Sequence, residues 1–304
     1  MNLLPGMIIP LIVGCAVVSA VIFKIVTIFY RLGKNIKTFS ISLRVLRIAL
    51  ILAVFAGGCT GTKSRAPVRI TFLTYNIYHG EDAEGGSNLD AVAVIINSLE
   101  PDLVALQEVD NKTRRAKGLD LTAELSRRTG MKGIFGKAMD YDDGGYGEAV
   151  LSRHPVLKIK NNPLPHTEKA EPRAALEVHI KLPGGMKMAF VGTHLDHQRD
   201  QGNRMMQANR IAELYENYKL PMILAGDLNA IPGSVPINLL LRQWSDVSPD
   251  DPQPTFPSVK PARKIDYIMY KPKSRWKVVE LRVIDEKVAS DHCPVLAVLE
   301  LLPE

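Results

Sequence analysis

Cysteine is scarce in this sequence, which has only Cys15, Cys59 and Cys293 among its 304 residues. A small disulfide-stapled scaffold needs an even set of closely spaced cysteines, so that class of protein is excluded. Since Cys293 is the only cysteine after residue 59, the C-terminal region has no internal disulfide. We expect Cys293, which precedes a proline, to be a small buried residue rather than a reactive thiol.

Acidic residues are absent from residues 1–66, which carry eight basic residues. Residues 67–304 therefore hold 30 of the 38 basic residues and all 32 acidic ones, a net charge of −2 against +6 for the whole chain. A strongly basic surface is the electrostatic footprint of nucleic-acid-binding proteins. Because the positive charge belongs to the N-terminal segment, the charge balance gives no support to nucleic-acid binding by the rest of the chain.

Long apolar runs occur only near the N-terminus. The first run, residues 7–30, is long enough to cross a bilayer. A basic stretch follows, and then a shorter apolar run that ends at Gly57-Gly58-Cys59. A basic flank, a short apolar run and small residues before a cysteine are typical of a bacterial lipoprotein signal, in which Cys59 would be lipidated. Ala56 stands where such signals usually have a larger aliphatic residue.

Two other interpretations of this segment stay open. Both apolar runs could remain as membrane helices, with the basic loop between them in the cytoplasm, or translation could start after the first run. The lipoprotein signal and the two-helix anchor both predict a membrane-attached protein whose residues 60–304 lie outside the cytoplasmic membrane. We therefore predict a membrane anchor or lipoprotein-type signal in residues 1–59, a small polar tether in 60–67 and a globular domain in 68–304.

The globular domain alternates between short β-rich runs and amphipathic helices. Helices are predicted at residues 89–99, 119–128, 203–218 and 235–241, and turns at Pro155, Pro163 and Pro165. Strands are predicted at residues 68–75, 103–106, 149–152, 174–180, 187–193, 222–225, 265–270, 278–283 and 294–301. Strands outnumber helices, and helices separate only some of them, which favours one α/β or α+β domain with a two-layer sheet core.

Six polar clusters stand at the ends of the predicted strands. They are Tyr75-Asn76, Gln107-Glu108, Thr193-His194-Leu195-Asp196-His197, Gly226-Asp227-Leu228-Asn229, Ile265-Asp266-Tyr267 and Ser290-Asp291-His292. Polar groups at strand ends converge on one rim of a sheet, where loops carry function. The ordered set therefore predicts an active site in which all six clusters meet.

The residue types in these clusters suit phosphoryl transfer. Glu108 and Asp291 offer hard oxygen ligands for Mg²⁺ or Mn²⁺. Asp227 can orient a water molecule, whereas asparagines donate to phosphate oxygens. His194 and His292 can move protons or donate to developing charge.

Each cluster taken alone has a simpler explanation. Glu108 could lie in a solvated turn, Asp227-Leu228-Asn229 could form an Asx turn, Asp266 could be a surface acid and His194 a core histidine. It is the combination and order of the six that makes chance a poor explanation.

The order of motifs resembles the endonuclease/exonuclease/phosphatase superfamily, with its deoxyribonuclease I-like fold, over residues 68–302. The motifs are Thr74-Tyr75-Asn76, Leu106-Gln107-Glu108-Val109, Gly192-Thr193-His194-Leu195, Gly226-Asp227-Leu228-Asn229, Ile265-Asp266-Tyr267 and Ser290-Asp291-His292-Cys293-Pro294-Val295. The resemblance implies a four-layered α/β sandwich of two packed β-sheets flanked by helices, and it makes residues 68–304 a catalytic domain.

The resemblance also implies roles for individual residues. A divalent metal would be held chiefly by Glu108, with Asn76 and Asp291 nearby, and Mg²⁺ is the expected ion, with Mn²⁺ as an alternative. Asp266 would pair with His292, Asp227 would align the attacking water, and Asn229 and His194 would contact the scissile phosphate. Two further segments look like family features: residues 146–152 would present Tyr146 to the substrate, and Glu171-Pro172-Arg173 would bring Arg173 to the phosphate. Whether His292 is a base or a transition-state stabiliser stays open.

The substrate is less well specified than the reaction. The motifs of inositol phosphatases and the helical insert of abasic-site endonucleases are absent, and residues 229–233 look like an uncharacterised bacterial membrane-associated branch. We expect a metal-dependent phosphoesterase, more specifically a phosphodiesterase that acts outside the cytoplasmic membrane on a lipid headgroup, a small molecule or a nucleic acid. An extracytoplasmic endonuclease or exonuclease is the alternative, and an inactive membrane-displayed binding protein is a remote one. No protein partner is predicted.

Overall fold

The computed structural model describes residues 66–82 and 84–303. The predicted anchor or signal in residues 1–59, with Cys59, lies outside the described residues, as does most of the predicted tether. Within the described residues, no helix has the length and apolar character needed to cross a membrane.

The described chain folds into strands and short helices in the alternating order that the sequence predicts. The strands are β1 Val68–Asn76, β2 Leu103–Asn111, β3 Lys132–Tyr141, β4 Gly144–Ser152, β5 Val156–Leu164, β6 Arg173–Lys181, β7 Lys187–His194, β8 Met222–Asp227, β9 Ser245–Asp246, β10 Asp266–Lys271, β11 Trp276–Val283 and β12 Val295–Leu301. The helices are α1 Leu89–Leu99, α2 Leu121–Thr129, α3 Gly202–Tyr215 and α4 Val235–Leu240, with 3₁₀ turns at Tyr78–Gly80, Pro183–Gly185 and Lys273–Arg275.

The strands form two mixed six-stranded sheets. The first sheet has the order β11-β12-β1-β2-β4-β3 and the second has the order β5-β6-β7-β8-β10-β9. The pairs β1–β2 and β7–β8 are parallel, and the other pairs within the sheets are antiparallel. Each sheet therefore has a parallel pair near its centre, and the carboxyl ends of those strands point to one edge.

Three apolar layers hold the sheets and helices together. The inner layer fills the space between the two sheets and includes Phe72 stacked on Phe190, with ring centroids 5.7 Å apart. A second layer packs α1 and α2 on the outer face of the first sheet. A third packs α3 and α4 on the outer face of the second sheet. The predicted α/β sandwich of two packed sheets with flanking helices is thus confirmed, with a core that is largely aliphatic side chains removed from water.

The sequence prediction missed three strands and misplaced one turn. β3, β5 and β9 were not predicted, and Pro163 lies inside β5 instead of in a turn. Most positions of β5 are exposed, so the strand lacks the apolar alternation that marks a half-buried strand. Because β5 is the edge of its sheet, it tolerates a proline that would break a central strand.

Candidate active site

The two sheets bring the predicted polar clusters to one end of the sandwich. Asn76, His194 and Asp227 are the last residues of β1, β7 and β8. Asp266 begins β10, and because β10 runs antiparallel to β8, it lies directly opposite Asp227. Asp291 and His292 precede β12, which runs antiparallel to β1. The clusters of Asp266 and His292 thus start strands instead of ending them, and antiparallel pairing still takes them to the same edge.

A pocket of about 350 Å³ opens at this edge, within the size range of small-molecule sites. The predicted site residues that line it are Glu108, Tyr146, Arg173, His194, Asp227, Asn229, Asp291 and His292. Asn76 and Asp266 are buried behind the wall and reach it through hydrogen bonds. A second cavity, of about 430 Å³, lies against β11 and contains none of the predicted site residues.

His292 and Asp266 form a buried hydrogen-bonded pair. Nδ1 of His292 lies 2.9 Å from Oδ2 of Asp266, which makes Nδ1 the protonated nitrogen. The Thr255 hydroxyl donates to the same carboxylate oxygen at 2.5 Å. Burial opposes the charged imidazole, yet the carboxylates of Asp266 and Asp227 outweigh it and raise the pKa of His292 to about 10. Asp266 thus fixes the ring and stabilises its protonated form.

Asp227 lies between the two imidazole rings. Its Oδ2 is 3.4 Å from Nε2 of His194 and 3.6 Å from Nε2 of His292. Burial raises the pKa of Asp227 to about 7, although the positive charge of His292 opposes the rise. Its Oδ1 accepts the backbone N–H of Asn229 at 2.8 Å. The Asx turn considered from the sequence is therefore present, and it holds the carboxylate in place beside both rings.

Glu108 occupies an irregular position within β2, not at its end as the sequence suggested. The pairing of β2 with β4 shifts register between Leu106 and Val109, and Glu108 has a φ of +58°. A non-glycine residue in this left-handed region is uncommon, and a β-bulge re-aims a side chain. Here the bulge directs the carboxylate into the pocket.

The charge state of Glu108 suits a metal ligand. Oε1 accepts Asn76 Nδ2 at 3.0 Å, and Oε2 lies 3.6 Å from Nδ1 of His79. Burial opposes ionisation, but the hydrogen bonds from His79 and Asn76 and the charge of His292 lower the pKa of Glu108 to about 2. Asp291 lines the same pocket, and burial raises its pKa. An ionised carboxylate with a second carboxylate in the same pocket fits a hard divalent cation. The amide oxygen of Asn76 accepts the Tyr78 backbone N–H at 3.1 Å, so the side chain would have to turn to offer that oxygen to the ion.

A different trio is also compact enough to hold a cation. One ligand atom from each of Asp227, Asp266 and His292 lies within 4.8 Å of the others. Asp266, however, already accepts hydrogen bonds from His292 and Thr255, and a cation bound to it would have to displace them. We therefore interpret this trio as a proton-carrying network and the Glu108 group as the better metal site.

His194 is held as a neutral hydrogen-bond donor. Nη1 of Arg173 lies 2.9 Å from Nδ1 of His194, and since a guanidinium can only donate, Nδ1 must accept. The remaining ring proton is then on Nε2, which faces Asp227 and the pocket. Burial and the charge of Arg173 lower the pKa of His194 well below its usual range. Asn229 Nδ2 donates to the Leu195 carbonyl at 3.1 Å and lies 3.0 Å from Nε2. Because both nitrogens are then donors, they make no hydrogen bond to each other and form a pair of adjacent N–H groups.

Arg173 and Tyr146 are both buried in the pocket wall. Arg173 is 2% exposed and pairs with Glu171 at 2.8 Å, so it is not a solvated surface charge. Tyr146 is 7% exposed, and its ring lies beneath the guanidinium of Arg115, 5.4 Å from the ring centroid. Both residues thus lie where a substrate in the pocket would meet them.

Several pocket residues were not anticipated from the sequence. They are His79, Arg115, Met139, Tyr141, Phe256 and Arg263 in the lining, and Thr255 behind it. His79 follows Asn76 by three residues, so its place in that loop was a usable signal. The others come from β3, from the loop after β2 and from residues 255–263, and their positions depend on tertiary contacts that no local pattern records.

Comparisons with known proteins show the family and the fold of this chain. The sequence model of the Endonuclease/Exonuclease/phosphatase family matches residues 73–292, which confirms the family resemblance. The membrane-associated branch stays a prediction.

Solved structures share the fold. An endonuclease/exonuclease/phosphatase family protein from Bacteroides thetaiotaomicron is 19% identical with a TM-score of 0.68, covering 78% of this chain and 99% of its own. A mannosyl-6-phosphatase of the same organism is 20% identical with a TM-score of 0.63, over 76% of this chain and 99% of its own. D. rerio TDP2, complexed with a single-strand DNA product, is 18% identical with a TM-score of 0.63, over 76% of this chain and 98% of its own.

Proposed function

Because the chain belongs to the endonuclease/exonuclease/phosphatase family of phosphoric ester hydrolases, we propose that it is a divalent-metal-dependent phosphodiesterase. In this proposal it hydrolyses a phosphodiester outside the cytoplasmic membrane by attack of an activated water. The observation that carries the proposal is that one pocket is lined by two groups: the carboxylates of Glu108 and Asp291, and the pair of Asp227 and His292, whose ring Asp266 holds from behind the wall. The first fits a hard cation and the second can hold and move a proton.

The pocket residues divide between metal binding and proton handling. Glu108, Asn76 and Asp291 would hold Mg²⁺, with Mn²⁺ as an alternative. When bound, such an ion supplies a positive charge that stabilises the negative charge developing on phosphate oxygens. Asp227 would orient the attacking water, because its buried carboxylate lies within reach of both imidazoles. His292 would exchange a proton with the reacting groups from Nε2 while Asp266 holds Nδ1.

The donors on the other side of Asp227 would bind the phosphate. His194 keeps its Nε2 proton because Arg173 occupies Nδ1, so it donates a hydrogen bond without carrying charge. Asn229 lies beside it and offers a second N–H. Arg173 adds a positive charge, and Tyr146 supplies an aromatic surface. These groups are fixed before substrate arrives, which is the arrangement that stabilises a charged transition state most effectively.

A diester is favoured because the pocket lining has two recognition groups. The lining holds two cation–π groups: Arg115 lies over Tyr141 and Tyr146, and Arg263 lies over Phe256. A phosphodiester carries a substituent on each of two ester oxygens, whereas a monoester carries one. An extracytoplasmic endonuclease or exonuclease is the second candidate, because aromatic rings next to a phosphate site also suit the bases of single-stranded nucleic acid.

The test is a substrate panel with the purified full chain in detergent. Bis-p-nitrophenyl phosphate, sphingomyelin vesicles and plasmid DNA would be offered with Mg²⁺ or Mn²⁺, and with EDTA as the control. We expect EDTA-sensitive turnover of the synthetic diester that is lost in Glu108→Ala and in His292→Ala. Plasmid cleavage without turnover of the lipid would favour the nuclease. If both variants keep full turnover, the assigned site is wrong, and if the wild-type chain turns over nothing, a binding function takes its place.

The location requires a separate test. The N-terminal apolar runs and the possible lipidation of Cys59 support an extracytoplasmic catalytic domain attached to the membrane. Protease added to spheroplasts should then remove the catalytic domain while cytoplasmic markers survive. Protection of the domain until the membrane is lysed would show a cytoplasmic location.

A further inference from the structure

The pocket contains three arginines whose surroundings differ. Arg173 is buried and paired with Glu171. Arg115 donates to both oxygens of the buried Asp110, at 2.7 and 2.8 Å. Arg263 is exposed, lines the same pocket, and has no carboxylate within 4.0 Å among residues 66–82 and 84–303. Within the part of the chain that the structure describes, Arg263 is the one of these three arginines that has no neighbouring acid.

Arg263 is held in place although its side chain is exposed. Residues 256 and 263 form an antiparallel bridge, with backbone hydrogen bonds in both directions at 3.0 Å. The guanidinium carbon lies 4.9 Å from the centroid of the Phe256 ring, within the range of a cation–π interaction. The ring in turn lies 4.7 Å from the imidazole of His292. The positive charge of Arg263 is therefore held beside the pair formed by His292 and Asp266.

The proton and phosphate chemistry described above does not use Arg263. His292 receives its orientation from Asp266, and the phosphate donors are on the other side of Asp227. An anchored and unpaired guanidinium next to a phosphate site is suited to a second anion, because planar N–H donors match phosphate oxygens.

We propose that Arg263 is a specificity-determining residue that binds a second phosphate group of the substrate, next to the scissile phosphate. The inference rests on the proposed function and narrows its substrate class to phosphoesters that carry an additional phosphate. Such a group could belong to a soluble bisphosphate or to a phosphorylated lipid headgroup.

Binding of matched ligands to the full chain tests the proposal without requiring turnover. Thymidine 3′,5′-bisphosphate and thymidine 5′-monophosphate differ by one phosphate, and their affinities would be measured by calorimetry with Ca²⁺ present. We expect the bisphosphate to bind at least about tenfold more tightly, the scale of one charge-assisted hydrogen bond. Arg263→Gln should remove this preference and leave the monophosphate affinity within about twofold, while Arg263→Lys should keep part of it.

Arg210→Gln is the matched control, because Arg210 is an exposed arginine of α3, outside the pocket lining, that pairs with Glu213 at 3.4 Å. It should leave both affinities unchanged. Equal affinity of the wild-type chain for the two ligands would overturn the proposal. So would a preference that survives Arg263→Gln, or an equal loss of both affinities in that variant.

A vesicle experiment distinguishes the two sources of the second phosphate. Phosphatidylcholine vesicles with phosphatidylinositol 4-phosphate or with phosphatidylinositol would be sedimented with the wild-type chain and with Arg263→Gln. Arginine-dependent retention by the phosphorylated lipid indicates a headgroup, and preference for the soluble bisphosphate alone indicates a free ligand. If the bisphosphate preference is present but the synthetic diester is never hydrolysed, the proposed function fails while the inference about Arg263 stands.

Discussion

Glu148 should make the catalytic domain less stable as the pH rises through neutrality. It lies in β4, two residues after Tyr146, and is 1% exposed. Its Oε2 accepts no hydrogen bond within the described residues, and the nearby Nε of Arg173 also has no partner. Burial, only partly offset by the charge of Arg173, raises the pKa of Glu148 from 4.5 to about 8. The folded protein therefore favours the protonated acid.

The direction of the effect follows from linkage between folding and protonation. Because the folded pKa of Glu148 exceeds its unfolded pKa, ionisation of this group does not affect the free energy of unfolding below pH 4.5. Between pH 4.5 and about 8 it lowers that free energy progressively, and above about pH 8 it lowers it no further. At about 1.36 kcal/mol per pH unit, the full interval corresponds to roughly 5 kcal/mol. Partial hydration of the ionised form reduces the loss, and we expect about 3 kcal/mol.

Glu148→Gln removes the titration and keeps the shape of the side chain. Thermal unfolding of the wild-type chain and the variant at pH 5, 7 and 8.5 would measure the difference in slope. A domain of this size shifts in Tm by roughly 2–4 °C per kcal/mol, so the variant should gain about 6–12 °C on the wild type between pH 5 and 8.5. The test is the change in Tm with pH, because the glutamine amide needs a hydrogen-bond partner at every pH and so shifts all Tm values of the variant alike.

Glu213→Gln, on the exposed face of α3, is the control and should leave the pH dependence of Tm unchanged. Parallel Tm curves for the wild type and Glu148→Gln would refute the reasoning. A wild type that gains stability over the variant as pH rises would show that Glu148 is ion-paired with Arg173 in solution.

Three further predictions concern the active-site end of the fold. Asp266→Asn should lower kcat for the synthetic diester by about 10²- to 10⁴-fold, because Nδ1 of His292 loses its charged partner, with circular dichroism checking the fold. Thr255→Val should lower kcat by roughly tenfold and shift its pH profile, since one hydrogen bond to Asp266 is lost; an unchanged profile would argue against a positioning role. Gly226→Ala should lower the free energy of unfolding by about 3 kcal/mol or more, because a Cβ there would lie 1.8 Å from the Thr193 carbonyl oxygen. Gly192→Ala is the control: its Cβ would have its nearest contact at 3.4 Å, so Tm should change little.

Much of the site was predictable because it is built from strand ends. Asn76, His194 and Asp227 each follow an apolar run that is recognisable in the sequence, and parallel neighbours deliver such residues to one edge. The family resemblance implied that Asp266 pairs with His292, but it is the antiparallel register of β10 and β8 that brings Asp266 to this edge, opposite Asp227. Register depends on partners distant in sequence, so it cannot be obtained from a local pattern.

The bulge at Glu108 shows a different limit of sequence reasoning. Gln107-Glu108 looks like the end of a strand, yet β2 continues to Asn111. A left-handed residue inside a strand is maintained only because its surroundings compensate for its cost. Here those surroundings include Asn76 and His79, which hold the carboxylate. No sequence rule places a glutamate in that conformation, so its orientation becomes visible only in three dimensions.

The net charge read from the sequence does not describe the charges that act in the pocket. The catalytic region carries a net charge of −2, which taken alone argues against an anionic ligand. Net charge, however, does not record which charges are paired. Asp110 neutralises Arg115 and Glu171 neutralises Arg173, whereas Arg263 has no such partner among the described residues and lies beside His292 by way of Phe256. Because ion pairs at contact distance largely cancel each other's field, the Arg263 charge acts on the pocket more strongly than the paired charges of Arg115 and Arg173 do. A mildly acidic domain can therefore present an unpaired arginine beside the carboxylates of its metal site.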